Sequence, residues 1–186
     1  PVFSNDAAAA SDVTEAFPTP APIPTDVNSG VGMISYYGHG NQQQTIYDIT
    51  NVSGSAFTNN NKYSFIYFNG CGVGNVFTGR AAHALSTNWL ITPQKGAIAV
   101  FGNSYKSYVG PTRIYIDRLY AQVFGKPDYG TGARKTTGQV LRDLASLTIL
   151  GTPSSRIAAG TDEISNIHQT NLYGDPALRF LIITPK

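Results

Sequence analysis

Three short apolar runs each stop at glycine-flanked polar residues, and this repeated ending constrains the fold more than any other feature of the chain. Val31-Gly32-Met33-Ile34-Ser35-Tyr36-Tyr37 ends in Gly38-His39-Gly40. Tyr63-Ser64-Phe65-Ile66-Tyr67-Phe68 ends in Asn69-Gly70-Cys71-Gly72. Gly96-Ala97-Ile98-Ala99-Val100-Phe101 ends in Gly102-Asn103-Ser104. Runs that are nearly continuous rather than alternating predict strands buried on both faces. That requires a largely parallel sheet covered by helices. Helical candidates lie between and after the runs, at residues 78–90, 112–124 and 136–150. In the last, Val140, Leu141, Leu144, Leu147 and Leu150 trace one apolar stripe at helical spacing. Residues 164–172 read as a further helix and 177–183 as a final strand. Alternation of strand and helix assigns the α/β class.

Residues 1–30 read as a leading segment and 31–186 as one domain. A short helix is expected over 6–17, capped by Ser11 or Asp12. Phe17-Pro18-Thr19-Pro20-Ala21-Pro22-Ile23-Pro24 carries four prolines in eight residues. Each fixes φ and removes a donor, so this stretch is expected to run extended. Asn28-Ser29-Gly30 is a turn signal. The chain starts at Pro1 without a basic stretch leading into an apolar one, so a fragment or processed form is expected.

Composition narrows the functions. With 186 residues, the chain is long enough to bury its own core. Charged residues make up 13%, against about 25% in an average soluble domain. Thirteen Lys and Arg against 11 Asp and Glu leave a net charge of +2, too little for a polyphosphate-binding surface, so no nucleic-acid partner is expected. No apolar run reaches the roughly 18 residues of a membrane span. A single Cys excludes an internal disulfide and a cysteine-only metal cluster. Low charge with abundant Asn, Thr, Tyr and Gly is similar to the composition of secreted bacterial proteins. A secreted or cell-surface location is therefore expected.

The chemistry falls at the strand ends, where open α/β sheets bind their ligands. The first run delivers His39 and the second Cys71. Neighbouring strands would bring both side chains to one rim. A thiolate is the reactive form of cysteine, and an imidazole can take its proton and later return it to a leaving amine. The amides of Gly40 and Cys71 could then stabilise an oxyanion developing during acyl transfer. A lone cysteine is more often a small buried hydrophobe, and a lone Gly-His-Gly more often a turn. The sole cysteine is, however, preceded by Asn69-Gly70, an odd choice for a core position.

The motifs also resemble a known family. Met33-Ile34-Ser35-Tyr36-Tyr37-Gly38-His39-Gly40-Asn41 resembles the histidine motif of gingipain-type cysteine peptidases. Tyr67-Phe68-Asn69-Gly70-Cys71-Gly72-Val73-Gly74-Asn75-Val76-Phe77 resembles their cysteine motif, with a glycine three residues after the cysteine. The two lie 71 − 39 = 32 residues apart. Residues 95–104 resemble the next core strand of that family, and Tyr173-Gly174-Asp175-Pro176-Ala177-Leu178-Arg179-Phe180 resembles its closing motif. The resemblance covers residues 28–183. It implies a caspase-like fold, Cys71 as nucleophile, His39 as general base and acid, and Gly40 and Cys71 as oxyanion-hole amides. It implies peptide-bond hydrolysis of a protein or peptide substrate through an acyl-enzyme. Two other outcomes stay open: an inactive surface-binding relative, and a sortase-like transpeptidase of a bacterial secretion system.

The family has further strands before the histidine motif, together with acidic residues that support the histidine and the specificity pocket. Only about thirty residues precede the motif here. The sheet is therefore expected to be completed by an N-terminal chain or fragment. The family's arginine-specific members carry a tryptophan after the third strand. Tyr105-Lys106-Ser107-Tyr108-Val109-Gly110-Pro111 has none, so Tyr105 and Tyr108 become the candidate pocket walls. His83, His168 and Asp48 read as structural or surface residues, and Trp89 as a packing residue. No cofactor is expected. A structural calcium ion is compatible with the resemblance, although no dense carboxylate loop is present.

Overall fold

The computed structural model describes residues 23–45, 52–77, 83–125, 135–151 and 160–180. The expected 6–17 helix, Asp48 and residues 181–183 of the expected final strand lie outside them. The chain forms two compact units, residues 1–107 and 108–186.

The first unit contains α1 (Ile23–Ser29), β1 (Met33–Tyr37), β2 (Ser64–Asn69), α2 (Leu85–Ile91) and β3 (Ala97–Asn103). The three strands form the expected parallel arrangement, with β2 between β1 and β3. Every residue of β2 is buried, the outcome its unbroken apolar run dictates. Side chains alternate across the sheet. Phe68 turns toward Trp89, which also meets Phe57 edge-on at 5.1 Å. Phe65 and Tyr67 turn to the other face, where both meet Phe101 edge-on. Trp89 is fully buried, as expected for a packing residue. The buried Asn59 amide joins the starts of β2 and β3. It donates to the carbonyls of Lys62 and Gly96 and accepts from the Gly96 N–H.

Two local readings need correction here. Pro24 belongs to α1, not to an extended run. A proline in the first helical turn loses no hydrogen bond, because the N–H it lacks has no intrahelical partner there. Helix α2 starts at Leu85, so His83 precedes it and is exposed.

The second unit contains α3 (Val109–Phe124), α4 (Thr137–Leu150), α5 (Thr161–Gln169) and β4 (Thr170–Gly174). Helix α3 begins one turn earlier than expected, with Pro111 accommodated in its first turn. Its Tyr115 is buried, which pushes the phenol up despite a hydrogen bond with Thr170. Helix α4 starts where the sequence places it. Thr136 and Gln139 form a reciprocal capping box. The buried face is Thr137, Val140, Leu144 and Thr148. Leu150 departs from the predicted stripe and is 71% exposed. At about 100° per residue it lies roughly a third of a turn from the centre of that face.

The expected helix over 164–172 ends at Gln169, and residues 170–174 form β4. Of the expected final strand, the described residues 177–180 form no strand, only an isolated antiparallel bridge between Arg179 and Thr136. They have another use. A turn at Asp175, in which Ala177 N–H donates to the Asp175 carboxylate, presents carbonyls to the start of α4. Thr137 N–H donates to Leu178 O at 2.7 Å and Gly138 N–H to Pro176 O at 3.0 Å. These bonds satisfy donors that no helix can satisfy internally.

Asp143 on α4 pairs with Lys135 at 3.0 Å and with Arg142 at 2.8 Å. Desolvation raises its carboxyl, but hydrogen bonds and charge from the two cations outweigh this and hold it below its ordinary value. A carboxyl depressed by folding stabilises the folded state above the unfolded pKa, about 3.9, and loses that contribution as pH falls through the lower folded value. Urea midpoints measured between about pH 5 and pH 2 should fall less steeply in Asp143→Asn than in the wild type.

Candidate active site

Strands β1 and β2 pair in register to their last residues, Tyr37 opposite Asn69. The Gly38-His39-Gly40 and Gly70-Cys71-Gly72 segments therefore leave the sheet side by side at its carboxyl edge. Gly38 N–H donates to Asn69 O at 3.2 Å and carries the ladder one step beyond the strands. The two segments then touch backbone to backbone. A Cβ on Gly70 would stand 3.1 Å from Gly38 O, 3.3 Å from the Tyr36 ring and 3.5 Å from the Gly40 Cα. A Cβ on Gly40 would stand 2.8 Å from a Val73 methyl. The glycines are thus required by close approach, a reason the motif alone did not reveal.

His39 is exposed, and its main chain is fixed. The Tyr36 hydroxyl donates to the His39 carbonyl. Beyond it, Asn41 closes a tight turn. Its side-chain oxygen accepts from the N–H groups of Gln43 and Gln44, and its own N–H donates to Gln44 O.

Cys71 is a free, half-buried thiol. The chain around it is strapped to β3. Gly72 N–H donates to Tyr105 O at 2.8 Å and Gly74 N–H to Asn103 O at 2.9 Å. A Cβ on Gly74 would come within 2.7 Å of the Gly102 carbonyl, which explains the glycine three residues after the cysteine. Helix α2 binds both segments together. Its Leu85 N–H donates to Gln42 O, and its Ser86 N–H donates to Val73 O. Gln42 reaches across as well, donating from Nε2 to Asn75 O at 2.6 Å.

Beneath the thiol lies a polar group. Asn69 and Asn103, the last residues of β2 and β3, are both buried. Asn103 Nδ2 donates to Asn69 Oδ1 at 2.9 Å and to Ser107 Oγ at 2.6 Å. Ser107 N–H in turn points at Cys71 Sγ, 3.3 Å away.

Tyr105 is 65% exposed, and its carbonyl is the one bound to Gly72. Tyr108 immediately precedes α3 in the second unit and is 39% exposed. His168 is exposed in the last turn of α5. Sequence reasoning missed Gln42, Asn103 and Ser107. Asn69 stands out in the sequence as an odd choice before the cysteine, and the matching Asn103 at the end of the third run is the signal that pairs with it. Among the described residues no three His, Cys, Asp or Glu side chains gather around a common point. No helix among them is long and apolar enough to cross a membrane.

A parallel sheet with histidine and cysteine loops at one carboxyl edge defines an α/β protein of the caspase-like kind. Comparison with solved structures agrees. The crystal structure of the Arg-specific cysteine proteinase gingipain R superposes with a TM-score of 0.66 at 18% identity, over 87% of this chain and 36% of that one. A complex of the pro- and mature domains of Porphyromonas gingivalis RgpB gives a TM-score of 0.65 at 17% identity, over 86% of this chain and 36% of that one. The chain thus spans about a third of the length of these proteins. Comparison with curated proteins found no match. The profile of peptidase family C25 matches residues 2–181. The chain belongs to peptidase family C25, the gingipain-type family its motifs resemble.

The contact between the two glycine segments makes a direct prediction. Gly70→Ala must push them apart or displace Tyr36, at a cost of about 1–3 kcal/mol by urea denaturation. Gly32→Ala, where a Cβ meets nothing within 4 Å, should change stability by less than about 0.5 kcal/mol.

Proposed function

We propose that the chain is the part of a cysteine peptidase that carries its Cys71 nucleophile and His39 base. The observation that supports this most is the backbone contact of the two segments bearing these residues, at the carboxyl edge of parallel strands. Membership of peptidase family C25 supports the reaction class.

In this reading the Cys71 proton passes to the His39 imidazole. The sulfur keeps the electron pair and attacks the scissile carbonyl carbon. Charge developing on the carbonyl oxygen is met by the amides of Gly40 and Cys71. Collapse of the tetrahedral species breaks the C–N bond, and the imidazolium gives its proton to the departing amine. A thioester remains on Cys71. Water then attacks it, with His39 again taking the proton, and the thiol is restored. The substrate is a protein or peptide, with Tyr105 and Tyr108 as candidate walls of the side-chain pocket. Neither is charged, so the pocket has no lysine or arginine preference from these two residues.

Residues 31–186 act as a catalytic subdomain in this reading. Strand β1 stands at the edge of the described sheet. An N-terminal chain or fragment adds beside it and completes the sheet. A secreted or surface location fits the low charge.

The test is cleavage of a mixed peptide library by the full protein, followed by mass spectrometry. Cys71→Ala and His39→Ala should each lower kcat by about 10³-fold or more. Cleavage that persists in Cys71→Ala would end the proposal. So would a wild-type protein that cleaves nothing and whose Cys71 reacts with iodoacetamide no faster than free cysteine.

A further inference from the structure

We propose that Ser107, gripped by Asn103, is a positioning residue that fixes the Cys71 sulfur for attack. The inference rests on the peptidase reading and adds residues that its chemistry does not name.

The argument begins with strand parity. Tyr67 and Phe101 are register partners across β2 and β3. Two residues further along each strand, on the same face, come Asn69 and Asn103. The positions before them on this face hold large aromatic side chains, and apolar residues would complete the packing. Two amides stand there instead, 1% and 0% exposed. Burying amides is unfavourable unless their hydrogen bonds are made. Here they are made in one direction. Asn103 has two amide hydrogens, and Asn69 Oδ1 and Ser107 Oγ take one each.

The hydroxyl of Ser107 is therefore anchored to the rigid end of the sheet. The same residue faces the sulfur with its main chain. Its N–H lies 3.3 Å from Cys71 Sγ, and its carbonyl oxygen lies 3.9 Å from the same atom. A thiol can donate toward that carbonyl, and a thiolate can accept from that N–H. When the proton leaves for His39, the sulfur already has a partner suited to its negative charge. Tyr105 and Lys106, between the anchor and Ser107, are exposed. Without the Asn103 grip, the main chain at Ser107 loses its tie to β3. Nucleophile placement is steep in its effect, since a displacement of about 1 Å can cost about 10²-fold in rate.

The experiment uses the full protein and two readouts. One is the rate of iodoacetamide alkylation at Cys71, followed by mass spectrometry. The other is kcat and KM on the best-cleaved library peptide. Ser107→Ala removes the hydroxyl and keeps the main-chain N–H. It should lower the alkylation rate and kcat by roughly tenfold while KM stays within about twofold. Ser107→Thr keeps a hydroxyl and should return both to within about threefold of wild type. Asn103→Ala should act in the same direction. Because the two residues act in series, the double variant should be no slower than the slower single variant. Should Asn103→Ala fail to fold, the Ser107→Ala and Ser107→Thr pair decides alone. A wild type that cleaves peptides, with Ser107→Ala alkylated and turned over at the wild-type rate, overturns this inference and leaves the peptidase reading standing. Losses that simply add in the double variant overturn it too. A wild type that cleaves nothing, with Cys71 alkylated like free cysteine, removes both.

Discussion

The contact of two glycine-bearing backbones at the sheet edge is the constraint on which the candidate site depends. Side chains larger than hydrogen at Gly40 or Gly70 would hold the segments apart. With glycine there, main chain meets main chain. Main-chain polar groups of both segments are then drawn into a small volume, where several find partners. Helix α2 takes a carbonyl from each segment, Gln42 spans them, and the end of β3 and the loop after it receive the Gly74 and Gly72 amides that follow the cysteine. Each of these bonds is worth about 1 kcal/mol net. Their value lies in geometry, since all of them restrain the same few main-chain atoms.

The sheet supplies the rigidity. Strand β2 is buried along its whole length, with Trp89 and Phe101 on opposite faces. Its end can move little without disturbing an aromatic core packed as densely as an organic crystal. The histidine segment is anchored differently. His39 itself is exposed, while its neighbours carry the restraints through Tyr36 and Asn41. One partner of the proposed dyad is fixed by the core and the other by a turn.

Strand β2 was legible because a strand covered on both faces must read as a continuous apolar run, and β1 and β3, though less evenly buried, carry the same kind of run. Helix α4 was legible because Thr136 and Gln139 form a local cap that needs no tertiary information. What escaped depended on distant partners. Thr170 to Gly174 carries no strand pattern strong enough to separate it from the helix before it, and only tertiary pairing decides the boundary. Leu150 follows Leu147 at helical spacing but lies at the end of α4, about a third of a turn from the centre of the buried face, where spacing alone does not decide burial. For the candidate site, the motif types brought out Cys71 and His39 and left the supporting residues unseen. Asn103 and Ser107 matter through register and loop path, and neither can be read from residue type alone.

The turn that feeds carbonyls to the start of α4 also orders events in time. The Thr137 hydroxyl bonds to the Asp175 carbonyl, 38 positions further along the chain. On a ribosome, the first turn of that helix must wait with its amides hydrated until residue 178 has emerged. Synthesis of the intervening chain, at about 5–20 residues per second, is slow compared with forming the helix itself. The first turn of α4 therefore gains these partners only after the chain between residues 138 and 178 has been made, well after the β2–β3 pairing has become available.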